Sequence, residues 1–184
     1  MEKRCAEKLI KNKKAQIWIE TVIYTLIAFV MIGLVLTYVK PKVEEMQDKA
    51  IVEQSLEIVE NIHAIILSIV QGGAGNTRLI EINLKKGVLK IDGENNKIVF
   101  ELESVYAYSQ PGEIIDYGNI EIYTEKKGGI NLISLTKDYG EDYNIKYGGE
   151  DKLKTLNKAS TPYKIYLSNK GEDGGRIVID IEIL

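Results

Sequence analysis

The chain has little of the two residue types that build most disulfide and metal sites. Its 184 residues include one cysteine, Cys5, and one histidine, His63. A single cysteine forms no internal disulfide, so a folded region outside the cell must be held together by core packing alone. One histidine and one cysteine also cannot assemble a zinc site or a Cys/His nucleophile. We therefore expect neither an enzyme nor a protein with a cofactor or a bound metal.

Motifs for phosphate and calcium binding are absent as well. The glycine-rich segment at 72–75 follows a predicted helix, whereas a phosphate-binding loop opens one. His63 lies on the same predicted helix among isoleucines, and we interpret it as an ordinary helix residue. An acidic segment follows later in the chain, at spacings that match no EF-hand, and is interpreted as a solvated loop. Its members are Asp138, Glu141, Asp142, Glu150 and Asp151.

Positive charge is concentrated at the N-terminus. Residues 1–15 hold six lysines and arginines against Glu2 and Glu7, a charge of +4, and the whole chain carries −3, so the other 169 residues sum to −7. A basic tip before an apolar stretch is typical of a membrane protein whose tip stays in the cytoplasm. No basic patch follows Lys14 without interleaved acids, which argues against nucleic-acid binding.

An uninterrupted apolar run extends from Thr21 to Val39 without a charged side chain. As a helix, these 19 residues rise about 28 Å, which matches the hydrocarbon core of a bilayer. Trp18 and Tyr38 lie near its two ends, where amphipathic rings prefer the membrane interface. The run therefore predicts a transmembrane helix at about 21–39, and a buried core helix is the alternative.

An amphipathic pattern continues the run beyond Pro41. Apolar residues recur every three or four positions, with acids between them, which predicts a helix with one apolar stripe. The stripe comprises Val43, Met46, Ala50, Leu56, Val59, Ile62, Ile66 and Ile69. If Pro41 only kinks the helix, it spans 16–70 and ends before the glycines at 72–75.

The period changes to two beyond Arg78, which predicts half-buried antiparallel strands. The alternation is clearest near residues 80–84, 98–102, 120–122, 163–167 and 177–183, and glycine-rich turns separate these segments, one of them at 169–175. We expect seven or eight short strands, with 137–159 a long loop that holds at most one strand at 142–147. The predicted fold class is α+β: a long N-terminal helix followed by an antiparallel β-rich head at 76–184. Its many tyrosines suit either surface recognition or simple strand propensity.

A processing site is the most informative short pattern. Lys13 and Lys14 precede the small residue Ala15, and Gln16 comes directly before the apolar region. A secretory signal places its small-residue cleavage site after the apolar core, whereas here the small residue lies before it. Cleavage after Ala15 would remove the leader 1–15 and leave the apolar helix as the start of the mature chain.

This pattern resembles the leader of archaeal type IV pilin-like proteins in which glutamine opens the mature chain. The resemblance covers residues 13–60 and does not extend to the head. It implies cleavage between Ala15 and Gln16 by a membrane prepilin peptidase, with Glu20 as the glutamate of the fifth mature position. It also implies self-assembly into a cell-surface filament. Trp18 departs from the serine that is frequent at the third mature position.

Glu20 is the candidate assembly residue. An unpaired acid at the membrane boundary is costly, and a new N-terminal amine on Gln16 is a cation in the same zone. In a filament, Glu20 of one subunit would compensate the amine of its neighbour. Glu20 as an interfacial residue that reaches headgroups is the alternative. At the level of the whole chain, the alternative is an uncleaved single-pass membrane protein whose head binds a ligand or an envelope component.

Overall fold

The computed structural model describes the backbone of residues 2–184 and the side chains of residues 17–184. The chain divides into two compact units, one that ends at Glu44 and one that comprises Glu45–Leu184. The predicted processing residues Ala15 and Gln16 lie outside the residues whose side chains are described.

One helix, α1, spans Glu2–Gln71 and passes through Pro41 without ending. Gly33 is its only glycine, so few residues oppose helix formation along its length. The helix ends where glycine permits a left-handed backbone, at Gly73 with φ +81°. Gly72 N–H donates to Ser68 O at 3.1 Å and Gly73 N–H donates to Val70 O at 3.0 Å, which satisfies two of the last helical carbonyls.

Ten strands follow in the described chain: β1 Thr77–Ile82, β2 Val88–Asp92, β3 Lys97–Ser104, β4 Ile114–Tyr117, β5 Ile120–Lys127, β6 Ile130–Asp138, β7 Tyr143–Tyr147, β8 Leu153–Asn157, β9 Tyr163–Asp173 and β10 Arg176–Ile183. They form two sheets, a four-stranded one in the order β1-β9-β10-β7 and a six-stranded one in the order β4-β5-β6-β3-β2-β8. All named pairs are antiparallel except β10 with β7, which is parallel. The α+β class with a β-rich head is confirmed.

The segment 137–159 was wrongly predicted as a long loop with at most one strand. It contains β7, close to the expected strand, and also β8, which pairs with β2. Strand β8 buries only Leu156, because it lies at the edge of the six-stranded sheet. An edge strand with one buried side chain lacks the alternation that marks strands in a sequence. The strand count was accordingly too low.

The predicted turn at 169–175 was too long. Strand β9 continues to Asp173, so the turn is confined to Gly174 and Gly175. Asn169 lies inside the strand, 2% exposed, and its side-chain amide donates to Ile69 O at 3.3 Å. The buried asparagine serves as a strand residue that holds the end of α1, and the β9–β10 register shifts nearby, between Ile177 and Ile179. Asparagine in a sequence signals a turn more readily than such a contact.

The second half of α1 and both sheets share one hydrophobic core. The buried stripe of the helix comprises Val52, Leu56, Val59, Ile62, Ile66 and Ile69, all at most 5% exposed. Ile62 faces a gap of about 10 Å³ whose walls include Leu89 of the six-stranded sheet and Ile165 of the four-stranded one. Of the predicted stripe, the residues from Leu56 to Ile69 are buried, whereas Val43, Met46 and Ala50 are exposed. Val52, which lies in the gap of that pattern, is buried as well.

Candidate membrane segment and head attachment

The apolar segment of α1 is exposed on all sides. Within the described residues, α1 is the helix long and apolar enough to cross a membrane, and none of its most apolar stretch is buried. Phe29 is 67% exposed and Leu34 63%, although both side chains strongly prefer an apolar environment. A contiguous apolar surface of this size marks a lipid or protein contact. The segment is compatible with membrane anchoring near the N-terminus.

The threonine hydroxyl groups in this segment donate hydrogen bonds to carbonyls of the helix itself. Thr21 donates to Ile17 O at 2.9 Å, Thr25 to Thr21 O at 2.7 Å and Thr37 to Gly33 O at 2.8 Å. In hydrocarbon, each polar group needs an internal partner, because no water is present to replace it. Because each of these threonines donates to the carbonyl four residues before it, the three are suited to a lipid environment.

Charged residues frame the segment. Glu20 is exposed and lies directly before the hydrocarbon-length run. At the other end, Lys40 approaches Glu44 at 4.0 Å between exposed side chains, a contact of little energetic weight. Of the predicted site residues, Glu20 is the one whose side chain is described.

The head is attached to the helix by a polar contact that the sequence patterns did not reveal. Asp48 accepts hydrogen bonds from Lys86 Nζ at 2.5 Å and from Val105 N–H at 2.7 Å. Lys86 lies in the β1–β2 turn and Val105 directly follows β3, so one carboxylate joins two loops to the helix. Asp48 is 9% exposed, and burial alone would raise its pKa. The hydrogen bonds from Lys86, Val105 N–H and Ser104, together with the positive charge of Lys86, outweigh burial and lower the pKa of Asp48 below its ordinary value.

A sequence signal for Asp48 did exist. It lies four residues before Val52 and therefore on the buried stripe, where an acid needs a partner. The identity of that partner depends on the fold, since Lys86 is 38 residues away. Gly87, beside Lys86, has φ +85°, and a Cβ there would lie 2.6 Å from Glu101 O. Only glycine fits this turn without displacing the backbone of β3.

His63 takes part in a second attachment, further along the helix. Its Nε2 lies 2.6 Å from the side-chain amide of Asn119, and its ring packs 5.7 Å from that of Tyr139. Burial and then the charge of Lys137 lower the pKa of His63, while Asp142 opposes them. Burial also raises the pKa of Tyr139 far above its ordinary value. His63 thus holds a packed, neutral position in the helix–head interface, in line with the ordinary helix role expected of it.

The predicted acidic loop is divided among separate contacts. Asp138 lies 2.9 Å from Lys97 Nζ and also accepts the Gly140 N–H at 2.8 Å, while Glu150 lies 2.7 Å from Lys152 Nζ. No group of three or more metal-binding side chains occurs within the described part of the chain. These acids therefore stabilise turns and strand ends.

Comparison with known proteins returned no relatives. No family model, no curated protein and no solved structure matches the chain.

Proposed function

We propose that the chain is a structural subunit of an archaeal type IV pilus-like surface filament. A prepilin peptidase would cleave it after Ala15, and the mature subunits would assemble through their N-terminal apolar helices. The observation that carries this proposal is an apolar segment exposed on every side, in a chain whose head has its own complete core. Such a segment needs an apolar surrounding, which lipid supplies before assembly and neighbouring helices supply after it.

The location of the hydrophobic core supports a head that folds independently of the apolar segment. Every buried hydrophobic side chain among the described residues lies between Val52 and Ile181, inside the unit that begins at Glu45. The head therefore needs nothing from the apolar segment to fold, which leaves that segment available for contacts with other copies. A subunit that leaves the membrane requires both properties: a head that folds by itself and an apolar segment that is free to contact other copies.

Intact mass of the membrane-extracted protein tests the maturation step. We expect the loss of residues 1–15, and an Ala15→Leu variant should keep them, because a bulky residue replaces the small one at the cleavage point. An uncleaved wild-type chain would instead favour a single-pass anchored surface protein whose head binds a ligand or an envelope component.

Glu20 tests the assembly step. Glu20→Gln keeps the shape and removes the charge, so the amine of a neighbouring Gln16 would lack its counter-charge in a dry filament core. The penalty for removing one partner of a buried pair is about 3–5 kcal/mol. We expect the variant to be inserted and cleaved but absent from filaments sheared off the cell. Glu44→Gln is the matched control, because Glu44 lies on the same helix outside the apolar run and should assemble normally. Normal filament yield from Glu20→Gln would remove the charge-pair role.

Protease accessibility tests the orientation. The basic leader predicts a cytoplasmic N-terminus and an external head. Protease added to intact cells without a surface layer should digest the head. A head that is digested only after lysis would reverse the orientation.

A further inference from the structure

The six-stranded sheet has two edge strands, β4 and β8. Within the described chain each pairs on one side only, β4 with β5 and β8 with β2. The other side of an edge strand presents backbone N–H and C=O groups that can pair with a further strand. Every pair in this sheet is antiparallel and the number of strands is even, so β4 and β8 run in opposite directions. When a second copy lies beside the first in the same orientation, its β8 therefore meets β4 as an antiparallel partner.

The strand registers connect the two edges by one row of apolar side chains. From β4 to β8 the row consists of Ile115, Ile122, Leu135, Phe100, Leu89 and Leu156. All of them except the partly buried Ile115 are at most 3% exposed. Because the row ends in an apolar residue at both edges, a second copy whose Leu156 lies opposite Ile115 extends the row without a change of chemistry. The same register places Thr155 of that copy opposite Asp116.

The two edge strands carry opposite charges. With one flanking residue counted on each side, β4 holds two acids and no base, Glu113 and Asp116. Counted in the same way, β8 holds three lysines and no acid, Lys152, Lys154 and Lys158. When the connections on both sides of each strand are included, residues 105–119 sum to −2 and residues 148–162 to +1. The sign of each edge is therefore the same by either count.

Most of these charges have no partner of opposite sign within the described residues. Glu113, Asp116, Lys154 and Lys158 form no ion pair there. Lys152 differs, because its Nζ lies 2.7 Å from a carboxylate oxygen of Glu150. In the register that places Leu156 opposite Ile115, Lys158 of the second copy lies opposite Glu113. The contact would thus pair two charges that have no partner within one copy.

Large apolar side chains are exposed on both edge strands. On β4, Ile114 is 63% exposed and Tyr117 47%, and on β8, Leu153 is 52% exposed. Exposed apolar groups on an unpaired strand favour contact with another chain. The charges select which strand that is. Two β4 edges would bring acids together and two β8 edges would bring lysines together, whereas β8 on β4 brings opposite charges together.

From these observations we infer that β8 of one copy pairs with β4 of a second copy, so that the six-stranded sheets of neighbouring heads join into one antiparallel sheet. The two surfaces differ, so the contact is heterologous: each added copy leaves one β4 edge and one β8 edge free, and further copies add in a row. Asn157 O accepts a hydrogen bond from the Tyr163 hydroxyl at 2.9 Å, so we expect the new backbone pairing at 153–156.

This contact goes beyond the proposed filament. It involves residues of the head alone and needs only copies that meet at one membrane or surface. It would therefore form in a cleaved or an uncleaved chain, and its test separates from the tests of maturation and assembly.

Disulfide trapping in the full chain tests the pairing. Asp116→Cys and Thr155→Cys are combined with Cys5→Ser, which removes the native thiol. Across an antiparallel pair, the Cα atoms of the two new cysteines would lie about 4.5–5.5 Å apart, within reach of a disulfide. Inside one copy they lie at opposite edges of the sheet, five strand spacings or about 24 Å apart, so no internal disulfide forms. Mild oxidation of membranes that hold this variant should give a ladder of dimers, trimers and larger species on a non-reducing gel.

A cysteine pair shifted along the strand is the matched control. Asp116→Cys with Leu153→Cys uses the same sheet face, but the Cα atoms would lie about 7–8 Å apart, too far for a disulfide in the expected register. Its ladder should be at least about fivefold weaker. Asp116→Cys alone should give no ladder. A dimer from that single variant, without a ladder from the Asp116 and Thr155 pair, would overturn the proposal and indicate contact between two β4 edges.

A charge swap sharpens the test. In the double-cysteine chain, Glu113→Lys should lower the ladder yield at least about threefold, because it sets two lysines opposite each other. Adding Lys158→Glu should restore the yield. Glu172→Lys makes the same change on the four-stranded sheet and should leave the ladder intact.

The outcomes separate this contact from the proposed filament. A ladder that persists with Ala15→Leu would support the contact even in an uncleaved chain. Equal ladders from the matched and the shifted cysteine pairs would overturn the proposal, and so would the absence of a ladder in cells that still release filaments on shearing.

Discussion

Residues 17–43 and 45–71 belong to one helix, but they differ in how their apolar side chains are exposed. The first stretch exposes its large apolar side chains, whereas the second buries a single stripe and turns acids outward. Both are rich in isoleucine, leucine and valine, so apolar content alone does not separate them. The difference lies in periodicity: a stripe can be covered by two sheets, whereas an apolar cylinder can be covered only by lipid or by other helices.

The largest effect is expected from a charge placed on the buried stripe. Ile66 is 0% exposed, so Ile66→Asp should destabilise the fragment Glu45–Leu184 by more than about 4 kcal/mol or prevent it from folding. Leu67, the next residue, is 38% exposed, and Leu67→Asp should cost about 1 kcal/mol through helix propensity. Urea unfolding followed by circular dichroism measures both. Similar losses for the two variants would show that the stripe is not the buried face.

A charge in the apolar cylinder should affect insertion and not folding. Val30 is 61% exposed near the middle of the run, and Val30→Lys should raise the apparent free energy of membrane insertion by about 2.5–3.5 kcal/mol. Val30→Leu is the size-matched control without charge and should insert as well as the wild type. A translocon insertion assay gives both values. Unimpaired insertion of the lysine variant would argue against a bilayer as the surrounding of this segment.

The attachment at Asp48 should have an intermediate effect. Asp48→Asn removes the charge opposite Lys86 and should destabilise the Glu45–Leu184 fragment by about 1.5–3 kcal/mol at neutral pH. Glu53→Gln, which removes an exposed pair with Lys49 at 3.8 Å, should change stability by less than about 0.5 kcal/mol.

The pH dependence of this effect has a definite sign. The pKa of Asp48 is lowered in the folded state, so its contribution is present above the unfolded pKa near 3.9 and is lost as the pH falls through the folded pKa. The gap between wild type and Asp48→Asn should therefore close in acid. A gap of unchanged size in acid would mean that it does not arise from the charge of the Asp48 carboxylate.

The smallest effect is expected at His63. Its pKa is lowered in the folded state, so the unfolded chain takes up a proton first as the pH falls below about 6.5, and stability should decrease there. His63→Gln keeps a side-chain amide near Asn119 and removes the titration, so the decrease between pH 7.5 and 5.5 should become shallower. Unfolding curves at these two pH values measure it, and identical slopes would mean that His63 is not protected from protonation.

The sequence predicted those parts of the fold that repeat. The stripe at Val59, Ile62 and Ile66 and the alternation in β3 and β10 each involve several side chains with one period, so the pattern survives individual exceptions. Strand β8 and the attachment at Asp48 were missed, because each depends on a single side chain whose partner lies far along the chain.

The four-stranded sheet has a consequence for how the head is completed during synthesis. Strand β1 pairs with β9, Thr77 opposite Ser168, so its partner is made 91 residues later. Protein synthesis adds about 5–20 residues per second, so β1 and much of the helix stripe remain exposed for roughly 5–20 seconds before their partners are made. The last strand, β10, lies between β9 and β7 and forms the parallel pair with β7, so the four-stranded sheet is complete only after β10 has been made. Loss of β10 would therefore leave an unfinished, adhesive intermediate instead of a slightly shorter protein.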